Sequence, residues 1–342
     1  MPHHAPHRAC ALLAGLAALA TASTLHAQTR IIYVDDDAHN PDMDGSSWEL
    51  AYNDLQYALY DISSGGGIHS PGETEIRIAQ GVYTPSPRFA SRGEEFHFHG
   101  SPASGVALTV LGGFAGLVGA PNPDQRDPTR FITVLSGDLL HNDTLDPATW
   151  TDNSRQIAVA DNVAGFLMDG LTFKGARGAD HPQDQSYGGA LRISGRTYFY
   201  ARRTSREDDA VVRNCRFIDN VAGLAGGVLR CLSSENSAGI RVESCDFISN
   251  RVLSPGEWTG GGAIAAYGGV VVIEDCRFLN NAAPNRGGAV YGGVAASLLI
   301  RDSLFISNTT GTEGGAICTL EDAGFEQSPQ IIDRCTFTRN AA

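Results

Sequence analysis

Side chains that could do chemistry are sparse, and the clearest of them point to a metal ion. Asn40, Asp42 and Asp44, followed by Gly45, repeat the first half of a loop that wraps Ca²⁺ in oxygen ligands, a hard donor set for a hard cation. Position twelve of such a loop would be Ala51 instead of the bidentate glutamate, so the full pattern is not met. Asp35, Asp36 and Asp37 lie close enough in sequence to add oxygens, but a solvated acidic turn is the favoured reading. No cofactor is expected, with Ca²⁺ at this turn as the one exception considered. Acids and bases also cluster at Asp138, His141 and Asp143, and at Asp180, His181 and Asp184 near Arg177, all in segments rich in turn residues. A basic, aromatic stretch gathers Arg192, Arg196, Tyr198, Tyr200, Arg202, Arg203 and Arg206. His97 and His99 alternate with Phe96 and Phe98, as in a strand with one polar face rather than a metal site. No catalytic residue is assigned, because a polysaccharide lyase or glycoside hydrolase needs carboxylates, or an arginine base beside them, at one register on one face. Two residues before the repeated cysteine position stand Arg213, Glu243, Glu274, Arg301 and Asp333, a mixed series suited to a solvated ladder of opposite charges.

The elements that position these groups form a repeat. Cys215-Arg-Phe217-Ile-Asp-Asn220, Cys245-Asp-Phe247-Ile-Ser-Asn250, Cys276-Arg-Phe278-Leu-Asn-Asn281, Ser303-Leu-Phe305-Ile-Ser-Asn308 and Cys335-Thr-Phe337-Thr-Arg-Asn340 share one template, with a mean spacing of 30 residues between phenylalanines. A paired glycine follows the first four, at Gly226-Gly227, Gly261-Gly262, Gly287-Gly288 and Gly314-Gly315, and Phe173 with Gly188-Gly189 makes an earlier, degenerate copy. Short β-branched and aromatic runs broken by Gly and Asn lack a helical period, so the repeat is a β-solenoid. A corner just before the cysteine would turn the β-branched residue, the cysteine and the phenylalanine all inward. Asn, tolerant of left-handed backbone and able to bond the same Asn one coil away, fits a second corner, and the glycine pair a third. The cysteines then read as an internal column of small buried thiols, with Ser303 replacing one of them, rather than as a disulfide framework; a strained disulfide between neighbouring rungs is the alternative.

Residues 1–27 read as a secretory signal peptide: a weakly basic start, an apolar run from Cys10 to Ala22, and Ala27 before the cut. The run is too short to span a bilayer, and no transmembrane helix is expected in the mature chain. The sequence carries 25 Lys and Arg against 38 Asp and Glu, a net charge of −13, which disfavours nucleic acid as a partner. Forty glycines in 342 residues, without a three-residue period, suit a folded repeat rather than collagen or disorder. Residues 28–160 read as an N-terminal cap and first irregular coils. An amphipathic helix is expected between Trp48 and Ile62, and strands around Glu75–Ala79, Val106–Leu111, Ile132–Leu135 and Gln156–Ala160. Residues 161–342 are the repeat region, which ends where the next glycine corner is due and so reads as truncated, with an open edge that invites self-association.

The pairing of Phe-x-x-Asn with Gly-Gly-Ala-[Ile/Leu/Val] over about residues 165–342 resembles the repeat of the chlamydial-type polymorphic outer membrane proteins. More broadly it is similar to right-handed parallel β-helices of the pectin-lyase-like superfamily. The resemblance implies an all-β, right-handed parallel β-helix with a short capping helix, on an exported protein of the outer membrane surface or the extracellular space. The expected role is a non-enzymatic adhesin or envelope scaffold, with polysaccharide or a host or envelope surface as partner. The alternative is a carbohydrate-active enzyme, a polysaccharide lyase or glycoside hydrolase, on the same fold.

Overall fold

A computed structural model describes residues 29–64, 73–85, 91–99, 107–144, 146–161, 165–178, 189–195, 209–223, 227–233, 239–253, 259–320 and 329–342. The expected signal peptide, residues 1–27, lies outside them. The described chain winds into coils that stack into three long parallel sheets of nine, eight and seven strands and a fourth, short one of four. One coil shows the plan. Val270–Glu274 lies in the first sheet, Arg277–Leu279 in the second, Ala282–Ala283 in the short sheet and Val290–Gly292 in the third. Each pairs in parallel with the equivalent strand of the next coil. This is the parallel β-helix that the repeat implies, right-handed as the resemblance predicts.

Three corners make the coil close. Before the cysteine position, Asn214, Ser244, Asp275, Asp302 and Arg334 adopt left-handed backbone with φ of 48–54°. The consequence is the one expected: Val212, Cys215 and Phe217 are all fully buried. The second corner differs from expectation in one respect. The left-handed residue is the one before the asparagine, Asp219, Ser249, Asn280, Ser307 or Arg339, with φ of 53–55°. Asn220, Asn250, Asn281 and Asn308 are instead turned inward and fully buried. They are needed there because each amide nitrogen donates to the phenylalanine carbonyl of the preceding coil and to the asparagine Oδ1 of the following one. At the third corner Gly261, Gly287 and Gly314 have φ of +57 to +70°. A Cβ at Gly261 or Gly287 would run into the carbonyl oxygen of Ile264 or Val290, so only glycine fits.

Phe173, Phe217, Phe247, Phe278, Phe305 and Phe337 stack in one column with ring centroids 4.6–5.0 Å apart and planes within 9°. The degenerate copy at Phe173 is thus a full member. The first half also enters the same sheets: Thr74–Ala79, Gly81–Tyr83 and Phe96–His99 form one coil, and Leu108–Phe114, Thr133–Ser136 and Ala158–Asp161 the next. Phe96 and Phe98 point inward and His97 and His99 outward, as their alternation predicts.

The helix is Leu55–Ser64, shorter than the expected span because Leu50–Tyr52 instead form a turn whose amide and carbonyl of Tyr52 bond Tyr33 and Asp35. Asp54 caps its start by accepting from the Gln56 amide at 2.8 Å. Leu55, Ala58, Leu59 and Ile62 make one buried stripe against Arg30–Val34 and Phe96–His99, the first strands of two sheets. The helix therefore closes the N-terminal end of the stack.

Candidate functional site

Strand stacking turns sequence positions into columns on the outer surface. Asp169, Arg213, Glu243, Glu274, Arg301 and Asp333 occupy successive rungs of the first sheet in one register. Their charges pair along the column or with adjacent rungs: Arg213 with Asp169 at 2.7 Å, and Arg241 with both Glu243 and Glu274. On the second sheet Arg277 grips both carboxylate oxygens of Asp246, and at the corner between the two sheets Arg334 holds both of Asp302. Pairs that lie exposed, such as Arg334–Asp302, contribute little stability each. What they do is cancel charge along the surface, leaving the mixed polar ladder that the alternating residues predicted.

The strongest electrostatic knot was not legible in the sequence. Asp169 is 1% exposed and accepts from Arg126 Nη2 at 2.9 Å, Arg213 Nε at 2.7 Å and Asn214 Nδ2 at 3.0 Å. Burial alone would raise its pKa, but the three donors outweigh burial and hold the carboxyl below the usual range. Arg126 comes from a loop 43 residues earlier and also donates to the Gly112 carbonyl. Next to it, Trp48 Nε1 and Arg77 both donate to Asp124, and Arg77 lies over the rings of Tyr33 and Phe114. No local spacing announces these contacts. They exist because Tyr33, Arg77, Leu111 and Asp169 fall in one outward register across four coils.

Asn40 and Asp44 are occupied with their own turns: Asn40 Oδ1 accepts from the Asp42 amide at 3.0 Å, and Asp44 Oδ1 from the Ser46 amide at 2.9 Å. The bonds to Ser46 hold the Asp44 carboxyl below its ordinary value. Asp35, Asp36 and Asp37 bring carboxylate oxygens within 4.8 Å of one another. Two of these also serve the backbone, Asp35 accepting from Leu117 at 2.7 Å and Asp36 from Val82 at 3.1 Å, and burial raises both pKa values. Three clustered carboxylates suit a hard cation, and the same atoms tie the N-terminal turn to the first coils.

Asp138 accepts from the amides of Asn142 and Asp143, while Asp143 accepts from Asn153 Nδ2 at 2.9 Å. These acids brace one loop around His141, which is exposed with φ of 54°. His97 donates to Glu95 at 2.9 Å, which raises its pKa, and burial lowers that of His99 beside it. Arg192 projects from the third sheet 3.8 Å from Asp161. Asp180, His181, Asp184, Arg196, Tyr198, Tyr200, Arg202, Arg203 and Arg206 lie outside the described residues.

Residues 275–293 and 302–320 each match the Chlamydia polymorphic membrane protein repeat. They span the third and fourth Phe-x-x-Asn coils, where the asparagine ladder and glycine corner are complete. No curated protein matches the chain. Among solved structures, the pectin methylesterase from Aspergillus niger is similar over 89% of this chain and 85% of that one, at 14% identity and a TM-score of 0.37, an overlap too loose to transfer chemistry. The chain is a right-handed parallel β-helix in which residues 275–293 and 302–320 match the Chlamydia polymorphic membrane protein repeat.

Proposed function

We propose that this chain is an exported β-helix displayed at the outer membrane surface or beyond it, serving as a non-enzymatic adhesive or envelope scaffold. The observation that carries this reading is the match of residues 275–293 and 302–320 to the repeat described as that of the Chlamydia polymorphic membrane protein. The physical form supports it. A stack of coils displays long, ordered outer faces whose charges neutralise one another rung by rung, a geometry suited to presenting contacts over distance. Such a fold does not by itself select a chemistry.

The test uses residues 28–342, with and without Ca²⁺. Immobilised protein is exposed to pectic, alginate and glycosaminoglycan polymers and to envelope preparations, while ultraviolet absorbance of unsaturated uronate and released reducing ends are followed together. Binding without product, together with protease accessibility of the protein on intact cells, is the expected outcome. Product from any polymer would replace the scaffold by an enzyme and direct attention to Arg192 and the segment after it. The Ca²⁺ arms test Asn40, Asp42 and Asp44 as ligands, and light scattering tests self-association through the face of the last coil.

A further inference from the structure

Beside the phenylalanines runs a second interior column: Cys215, Cys245, Cys276, Ser303 and Cys335. All six described cysteines are free thiols, and Cys215, Cys245 and Cys276 are at most 1% exposed. Each column sulfur lies 3.2–3.3 Å from the carbonyl oxygen two residues earlier in its own coil, that of Arg213, Glu243, Glu274 or Asp333. A carbonyl of the preceding coil lies 3.4–3.9 Å away. The first set of carbonyls immediately precedes the left-handed corner, so the thiol closes that corner from inside. Ser303 does the same, donating to the Arg301 carbonyl at 2.7 Å, and it also accepts from the Cys276 amide at 3.1 Å. The position thus selects a small side chain that donates one hydrogen. Thiol and hydroxyl share that property, and a disulfide sulfur lacks it. Strand register also places Cys245 on the rung between Cys215 and Cys276.

We propose that this column makes folding of the chain redox-sensitive: the thiols must be reduced while the coils close, and the closed coils then shield them. In the unfolded chain Cys215, Cys245 and Cys276, spaced 30 and 31 residues apart, are accessible to a disulfide oxidant such as oxidised glutathione. Exchange joins two sulfurs. It transfers two electrons to the oxidant, whose two sulfurs leave as thiols carrying the two protons. Each such bond removes the donors of two corners at once, so the coils holding them cannot close on their carbonyls. In the folded chain the attacking thiolate would have to form inside a packed interior, and the reagent cannot reach it without local opening. This inference is independent of the surface role proposed above.

The test compares denatured residues 28–342 refolded in reduced and in oxidised glutathione, read by circular dichroism and by thiol counting. Native protein should label Cys318 and Cys335 first, with Cys215, Cys231, Cys245 and Cys276 at least ~100-fold slower. Refolding yield should fall several-fold in oxidised glutathione. The quadruple variant Cys215→Ser, Cys245→Ser, Cys276→Ser, Cys335→Ser should refold equally in both, because Ser303 already shows that a hydroxyl serves the position. Mapping the disulfides of the trapped wild-type species serves even where the variant folds poorly, and should find Cys245 joined to Cys215 or Cys276. Equal wild-type yields in the two buffers, trapped disulfides confined to Cys231 and Cys318, or native labelling of Cys245 as fast as Cys318 would each overturn the proposal.

Discussion

The side chain and backbone N–H of Asn281 take part in five hydrogen bonds with no exposure to solvent. Its amide nitrogen donates to Phe247 O and Asn308 Oδ1, its backbone N–H to Asn308 Oδ1, and its own Oδ1 accepts two from Asn250. Truncation leaves several buried groups unpaired, each costing about 1–3 kcal/mol. Asn281→Ala should therefore lower stability by about 3 kcal/mol or more, seen as a drop in the urea midpoint. The thiol position is more forgiving because only one donor is at stake. Cys276→Ser should stay within about 1 kcal/mol of wild type in the same titration, whereas Ser303→Ala, which also strips the Cys276 amide of its acceptor, should cost about 1–3 kcal/mol. Equal losses for both substitutions would show that volume, not hydrogen donation, governs the column.

At the scale of elements, corners and columns divide the work. Replacing Gly287 by Ala places a Cβ against the Val290 carbonyl at a left-handed corner, so the third-sheet strand that follows must shift. Gly287→Ala should cost more than the ~1 kcal/mol of an ordinary glycine substitution and raise proteolysis around that coil first. Asp169 joins the outer face of the first sheet to the Arg126 loop, and its depressed pKa gives this link a pH signature. A carboxyl whose folded pKa lies below its unfolded value of about 3.9 adds stability that is fully present above that value and is lost as pH falls through the folded one. Asp169→Asn should therefore destabilise the protein by about 1–3 kcal/mol at pH 7. The gap to wild type should shrink below about pH 4, as thermal melts across pH will show.

The whole molecule is close to one-dimensional, because each coil touches chiefly its two neighbours. Adding a coil should then add stability without disturbing the rest. Duplicating residues 276–302 in tandem supplies one more thiol, phenylalanine, asparagine and glycine corner in register. The longer chain should gain β signal in proportion by circular dichroism and melt no lower than the parent. A lower melting temperature would mean that coils are coupled to partners beyond their neighbours. The helix Leu55–Ser64 plays a different part at this scale, covering the apolar face of the first coils at one end of the stack.

The repeat made the core readable in advance. Phenylalanine, thiol and asparagine recur at one offset, and a stack of identical coils leaves each of them a single place to go. The glycine corner followed from the same periodicity. Other features depended on how distant coils align. Which residue of the second corner turns left-handed was decided by the asparagine, which must reach the Phe carbonyl of the preceding coil and leaves the reversal to its neighbour. The first two coils read only as irregular strands because Tyr83 and Leu135 take the phenylalanine position without its motif, and stacking is what aligns them with the later rungs. The Arg126–Asp169–Arg213 knot spans 43 and 44 residues between partners, and its charges meet only after the strands are in register. Periodicity determines what repeats along a chain, whereas contacts between unlike residues far apart are set by the packing that folding imposes.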